Sequence, residues 1–201
     1  MSINVNTIIP PPTILQQVVT AVNATSNELS TRSVVLDPTG LLLAYKTINK
    51  SFGAISFNGN AISTSIAPSG VFYLVSNSSY VLNSLSNNFS LTSSGVTGAA
   101  SSRLTYNGSV ACPFHISSSV TYLCAGSNNQ NIVTQLSQNG VLIPTSKATS
   151  ALASANLSQC NNMLAVVNLN PNDYIECQVA NLTASNNVTI TDIIISILSL
   201  H

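Results

Sequence analysis

Few residues in this chain are of types that do chemistry, and their spacing decides what they can do. Its 201 residues hold five acids, five Lys and Arg, two His and four Cys. His115 stands between Phe114 and Ile116, with no acid or Cys near it in sequence. A lone imidazole in that setting is a surface or interface residue before it is a general base. His201 is terminal. Serines abound, but no GxSxG occurs, and a serine nucleophile needs a base and an oxyanion hole. Glycoside hydrolysis needs two carboxylates across a cleft. Glu28 and Asp37 lie near the start of the chain. Asp173 and Glu176 are three apart, which on a strand sends them to opposite faces; Asp173 is expected to stabilise the Pro171-Asn172 turn. No enzyme is expected, and no cofactor or metal.

Asp192 needs its own weighing, because it sits in the apolar run TITDIIISILSL. Read in strict alternation it shares a face with Ile190 and Ile194. A buried carboxylate is costly unless paired. Lys147 or Arg103 are candidate partners across a subunit boundary. Three symmetric Asp192 carboxylates on a threefold axis would suit calcium, but the weighing favours a solvated or paired Asp near a strand bend. The same run raises a second question. Ile193, Ile195 and Ile197 point one way and Ile190, Ile194 and Leu198 the other, so both faces of the last strand need cover.

Cys112, Cys124, Cys160 and Cys177 match no zinc spacing. The spacing leaves disulfides open without implying them, and free thiols are the expectation for a chain without an export signal. MSINVNTIIPPP lacks the basic start and apolar run of a secretory leader, and no stretch is long and apolar enough for a membrane helix. The Asn-x-Ser/Thr triplets at Asn77, Asn88, Asn107, Asn156, Asn181 and Asn187 arise by chance in a sequence this rich in Ser and Thr.

The elements that must carry these residues are short strands. Charged residues make up 5% of the chain and the formal net charge is zero, so no polybasic surface exists for nucleic acid or anionic lipid. With 45% hydrophobic residues, disorder through charge is excluded. Pro10, Pro11 and Pro12 form a stiff extended segment. In TILQQVVTAVNATSNEL the apolar residues fall near helical spacing, with Thr13 as a cap, and the β-branched content makes such a helix weak alone. VVLDPTGLLLAYKTI reads as strand, turn and strand. From about Ser51, short apolar runs alternate with turn signals: Asn58-Gly59 and Asn139-Gly140 mark hairpins, Asn107-Gly108 ends a strand, and Phe114, Ile116, Val120, Tyr122 and Cys124 share one face of a long strand. The Tyr residues Tyr73, Tyr80, Tyr106, Tyr122 and Tyr174 fall mostly within strands, where packing is expected rather than sugar stacking. Loops 76–79 and 126–131 are candidates for an exposed crown. About ten strands without intervening helices predict an all-β, antiparallel two-sheet jelly-roll sandwich over 49–201, with an N-terminal arm over 1–48.

The phrases FGAISFNGNAISTSI, NNFSLTSSG with SSRLTYNG, NIVTQLSQNGVLI, and LNPNDYIECQVANLT occur in that order ahead of the closing strand. Together they resemble the jelly-roll head shared by tumour necrosis factor and the complement head domains, and more closely its versions in viral structural proteins. The resemblance covers roughly residues 50–199. It implies Leu104, Tyr106 and Gly108 at a strand end and turn, Phe114 in the long core strand, Asn139-Gly140 at a hairpin tip, Asp173 and Tyr174 opening the penultimate strand, and 190–198 as the last. Cys112 stands where relatives carry a polar or charged residue, charge is scarcer than in soluble members, and no collagen-like stalk is present. The resemblance further implies a homotrimer, which would answer the question of the two-sided strand: Ile190, Ile193, Ile195 and Ile197, with Tyr106, are the candidate interface. The implied protein is a capsid decoration or head-fibre protein of a virion, made in the host cytoplasm. It would bind a major capsid or other virion protein through an anchor of Ile8, Ile9, Leu15, Val18 and Val19. The alternative is a glycan-binding knob for host attachment.

Overall fold

The computed structural model describes residues 50–77, 80–92, 103–126 and 128–200, and the backbone of 32–36 and 42–47. The anchor candidates Ile8, Ile9, Leu15, Val18 and Val19 lie outside the described residues. The chain divides into two units, Met1–Asn49 and Lys50–His201. In the first, β1 (Arg32–Leu36) pairs antiparallel with β2 (Leu42–Thr47), the two strands expected from VVLDPTGLLLAYKTI; the expected turn lies outside the described residues.

The second unit is an antiparallel two-sheet jelly roll. One sheet runs β12 (Gln159–Leu169), β8 (Cys112–Cys124), β14 (Val188–Ser199), β3 (Phe52–Phe57), β5 (Val81–Leu82). The other runs β10 (Val141–Leu142), β9 (Gln130–Gln138), β13 (Tyr174–Asn181), β7 (Arg103–Tyr106), β6 (Phe89–Thr92). In it, β11 (Ala148–Leu152) also pairs with β9, and β4 (Tyr73–Leu74) with β13. Strand β8 shows why the layers form. Phe114, Ile116, Val120 and Tyr122 turn inward and are fully buried, while His115, Ser117, Ser119 and Thr121 turn outward. Period-2 alternation gives one sheet face to the core and one to the outside.

The core is continuous between the sheets. Phe114 packs edge-on against Tyr106 and Phe89, with ring centroids 5.0 and 5.4 Å apart. Each such fully buried side chain contributes about 1.5–3 kcal/mol of transfer free energy. Among the buried polar residues, Asn161 bridges the layers. Asn161 of β12 donates to Thr134 Oγ1 of β9 at 3.1 Å and to the Ala148 carbonyl at 3.3 Å, and its carbonyl oxygen accepts from Ser150. Cys112, Cys124 and Cys177 are buried and Cys160 is exposed, all four as free thiols.

Two turn signals behave differently. Asn139-Gly140 closes the β9–β10 hairpin, both residues having positive φ (52° and 79°), as such a two-residue turn requires. Asn58-Gly59 does not close a hairpin. After it the chain leaves the sheet in a long loop, pinned by Asn60, whose amide donates to the Ile62, Ser76 and Ile190 carbonyls. The apolar segments 61–66 and 71–75 form little strand: one bridge at Thr64 and the two residues of β4. Strand β11, ATSAL, is not expected from sequence; it forms because β10 ends after two residues and Pro144–Ser146 turns the chain back onto β9.

A candidate interaction face

The outward face of the five-stranded sheet is built from facing residues of its strands, and its rows follow from register. Val166, His115, Leu198 and Phe52 form one row across β12, β8, β14 and β3. Leu164, Ser117, Ser196 and Ala54 form the next. Asn162, Ser119, Ile194, Ser56 and Val81 form the third. Thus Leu164, Val166, Ile194, Leu198, Phe52 and Val81 all stand exposed on one side of one sheet. Between them lie Ser, Ala and Asn. Among the described residues, His115 and Asp192 are the ionisable side chains here besides the exposed thiol of Cys160. Scattered exposed aliphatics are ordinary; a continuous, sparsely charged face is the mark of an interaction surface. The edge is open as well: β12, eleven residues without charge, pairs only with β8 among the described residues.

The expected interface residues require correction. Ile193, Ile195 and Ile197 are at most 3% exposed in the single chain, and Ile190 is fully buried, whereas Ile194 and Leu198 are 47% and 50% exposed. The isoleucines expected to meet neighbouring copies face the chain's own core, as does Tyr106, whose ring packs on Phe114. The cause is a register shift between Ile190 and Asp192. Thr191 is the extra residue of a β-bulge. It places Ile190 opposite Tyr122 on the inner side and Asp192 opposite Thr121 on the outer side.

Asp192 is half-buried and uncharged groups hold it. Its Oδ1 accepts the Gly59 N–H at 3.1 Å and its Oδ2 the Thr191 hydroxyl at 2.8 Å. It borders a concavity of roughly 290 Å³ lined by Ser56, Asn58, Ser119, Thr121 and Ile194. Arg103, one expected partner, is taken: its Nε lies 2.8 Å from Glu176 Oε1, and its guanidinium stacks 4.1 Å from the Tyr174 ring centroid. Lys147 is exposed and forms no ion pair among the described residues.

The other chemically capable residues are apart. His115 lies exposed on the face. Glu176 is buried with Arg103, and Cys177 is deep in the core, where burial pushes its thiol up to about 12. Asp173 organises the turn as expected. Partial burial pushes its carboxyl up, but donors from Asn139 at 2.7 Å, the Asn170 backbone at 2.8 Å and Gln138 at 3.0 Å outweigh this and hold it below the usual carboxylate range. A folded-state pKa below the unfolded one stabilises above the unfolded value, near 4, and this stabilisation is lost as pH falls through the folded one. Asp173→Asn should therefore lower the melting temperature at pH 7 by roughly 2–4 °C, about 1 kcal/mol for a domain this size with a largely solvent-screened group. The gap to wild type should close in thermal melts taken into acid, as pH falls through the folded-state value of Asp173. An equal gap at neutral pH and in acid would rule out the charged form as the stabilising one.

No family model matches the chain, and no curated protein does. Solved structures similar in chain path share only 11–13% of their sequence with this chain. Eiger TNF from S. frugiperda is 13% identical, with a TM-score of 0.48 over 75% of this chain and 94% of that one. Murine APRIL is 11% identical, with a TM-score of 0.47 over 76% of this chain and all of that one. The PRD1 vertex protein is 11% identical, with a TM-score of 0.43 over 74% and 95%. The jelly-roll architecture of this chain stands on its own strand pairing.

Proposed function

We propose that the chain is a non-enzymatic structural protein of a virus particle: a homotrimeric jelly-roll knob that decorates a capsid or caps a head fibre, attached through residues 1–48. The observation that carries the reading is the aliphatic, sparsely charged outer face of the five-stranded sheet. A chain with zero formal net charge has little repulsion to keep copies apart, and this face gives them something to bury. Covering the exposed parts of Phe52, Val81, Leu164, Val166, Ile194 and Leu198 contributes on the order of 1 kcal/mol each. A closed ring of three makes three such interfaces against two association steps. The order of sequence phrases resembling viral versions of the head domain supports the particle as the setting. The Pro-rich arm, with Ile8, Ile9, Leu15, Val18 and Val19, supplies apolar area for a second contact with a capsid lattice.

Deleting residues 2–30 should leave self-association intact and abolish binding to purified capsids, read by co-sedimentation. A truncated protein that still decorates capsids at wild-type occupancy would reject the anchoring role.

A further inference from the structure

Asp192 borders a concavity of polar lining, and among the described residues no cation stands beside it. Each carboxylate oxygen accepts one hydrogen bond, from Gly59 N–H and from the Thr191 hydroxyl, and a carboxylate has about four acceptor sites. Around it stand the Asn58 amide and the hydroxyls of Ser56, Ser119 and Thr121, with Ile194 on the rim. A lysine ammonium brings three donors and no acceptor. A carboxylate ringed by hydroxyl and amide oxygens meets that demand, and the aliphatic rim accommodates a methylene stem.

Cations are scarce enough to narrow the choice. The whole chain has five Lys and Arg; the side chains of Arg32 and Lys46 lie outside the described residues, which leaves Lys50, Arg103 and Lys147 among the described ones. Arg103 is held by Glu176. Lys50 precedes β3, while Asp192 lies beyond the far end of that strand's pairing with β14, where Ile193 faces Phe57. Lys147 follows the Pro144–Ser146 turn and leads into β11, the strand that borders β9. Both the turn and β11 pack against β12, whose outer edge is open. Lys147 therefore marks an edge of the sandwich and Asp192 marks a face. We infer that the Asp192 concavity takes the Lys147 side chain of a second copy, so that copies meet edge on face. This rests on the self-association read from the outer sheet face, and it adds what sets its register. A contact between two different surfaces of identical chains is heterologous and closes into a ring when the rotation permits. Every interface of the ring then carries the same pair, and a wrong register leaves Asp192 covered without a partner, which is penalised.

The test uses the full chain in sedimentation equilibrium, with far-UV circular dichroism as the fold control. Asp192→Asn keeps the acceptor for Gly59 and removes the charge; Lys147→Ala removes the cation. Each should weaken self-association at least tenfold and flatten its dependence on salt, with the spectrum unchanged. The double variant should be no weaker than either single one, because the two substitutions delete the same contact. The charge-swapped pair Asp192→Lys with Lys147→Glu should recover most of the loss, and Lys50→Ala should change nothing. Additive losses, or singles that associate like wild type while variants of Ile194 and Leu198 disperse, would overturn the pairing and leave the face in place. A wild-type chain that is monomeric at micromolar concentration would overturn the self-association beneath it.

Discussion

Replacing Ile194 and Leu198 together by aspartate should convert the self-associated protein into a folded single chain. Both side chains are about half exposed in the isolated chain, so two carboxylates there remain hydrated. The cost to the fold is then that of strand propensity, within about 1 kcal/mol for each site. In the proposed assembly these positions, near the centre of the outer face and opposite Ser119 and His115 of β8 and Ser56 and Phe52 of β3, are covered. Covering two carboxylates without partners costs several kcal/mol per interface. That corresponds to a loss of at least a thousandfold in the self-association constant. Light scattering should report the mass of one 20.9 kDa chain, while circular dichroism stays that of the β-sandwich. Val141→Asp is the matched control: it is exposed on the β9–β10 hairpin of the other sheet and should leave the mass unchanged. A double variant that keeps the wild-type mass would place the contact between copies somewhere other than this face.

The residues that made this face unreadable in sequence are the ones that form it. Alternation picks out an inner and an outer side only where the two parities differ in polarity. In β8 they do: Phe114, Ile116 and Val120 against His115, Ser117 and Ser119, and the burial follows the sequence residue by residue. The Asn139-Gly140 hairpin and the order of the last two strands were legible for the same local reasons. In 193–198 both parities are largely apolar, so nothing local says which isoleucines belong to the core. The deciding event is the bulge at Thr191, which moves Ile190 to the inner side and Asp192 to the outer. Its sequence trace is faint: Thr189, Thr191 and Asp192 interrupt an otherwise aliphatic run. A one-residue slip reverses every side chain beyond it, so the interface assignment failed as a block. The Arg103–Glu176 pair and the Asp192 concavity depend on strands far apart in the chain, which no local pattern encodes. Asp192 itself was legible as a carboxylate near a strand bend, but its backbone donor, the Gly59 N–H, was not, since Asn58-Gly59 reads as a hairpin.

Ile195→Ala, made in the monomeric Ile194→Asp, Leu198→Asp background, should lower stability by about 2–5 kcal/mol. In that background no neighbouring copy contributes, so the whole loss reports the core. Ile195 is fully buried and lies between Ser118 of β8 and Ile55 of β3. Shortening it removes contacts that a close-packed interior restores only in part. Relief by water is limited, because cross-strand neighbours lie only about 5 Å apart and the one polar atom directly opposite is the Ser118 hydroxyl, buried without a hydrogen-bond partner among the described residues. A water there would need two to four polar partners, so the space stays dry and the full cost remains. Against a usual domain stability of about 5–15 kcal/mol, the urea midpoint should fall steeply at constant slope. Ser196→Ala, one residue along and on the outer side, should shift that midpoint by less than about 0.5 kcal/mol equivalent. If Ile195→Ala instead left the monomer's midpoint unmoved and weakened association in the wild-type background, Ile195 would face another copy after all. The bulge at Thr191 would then be misplaced, and with it the outer face on which the proposed assembly stands.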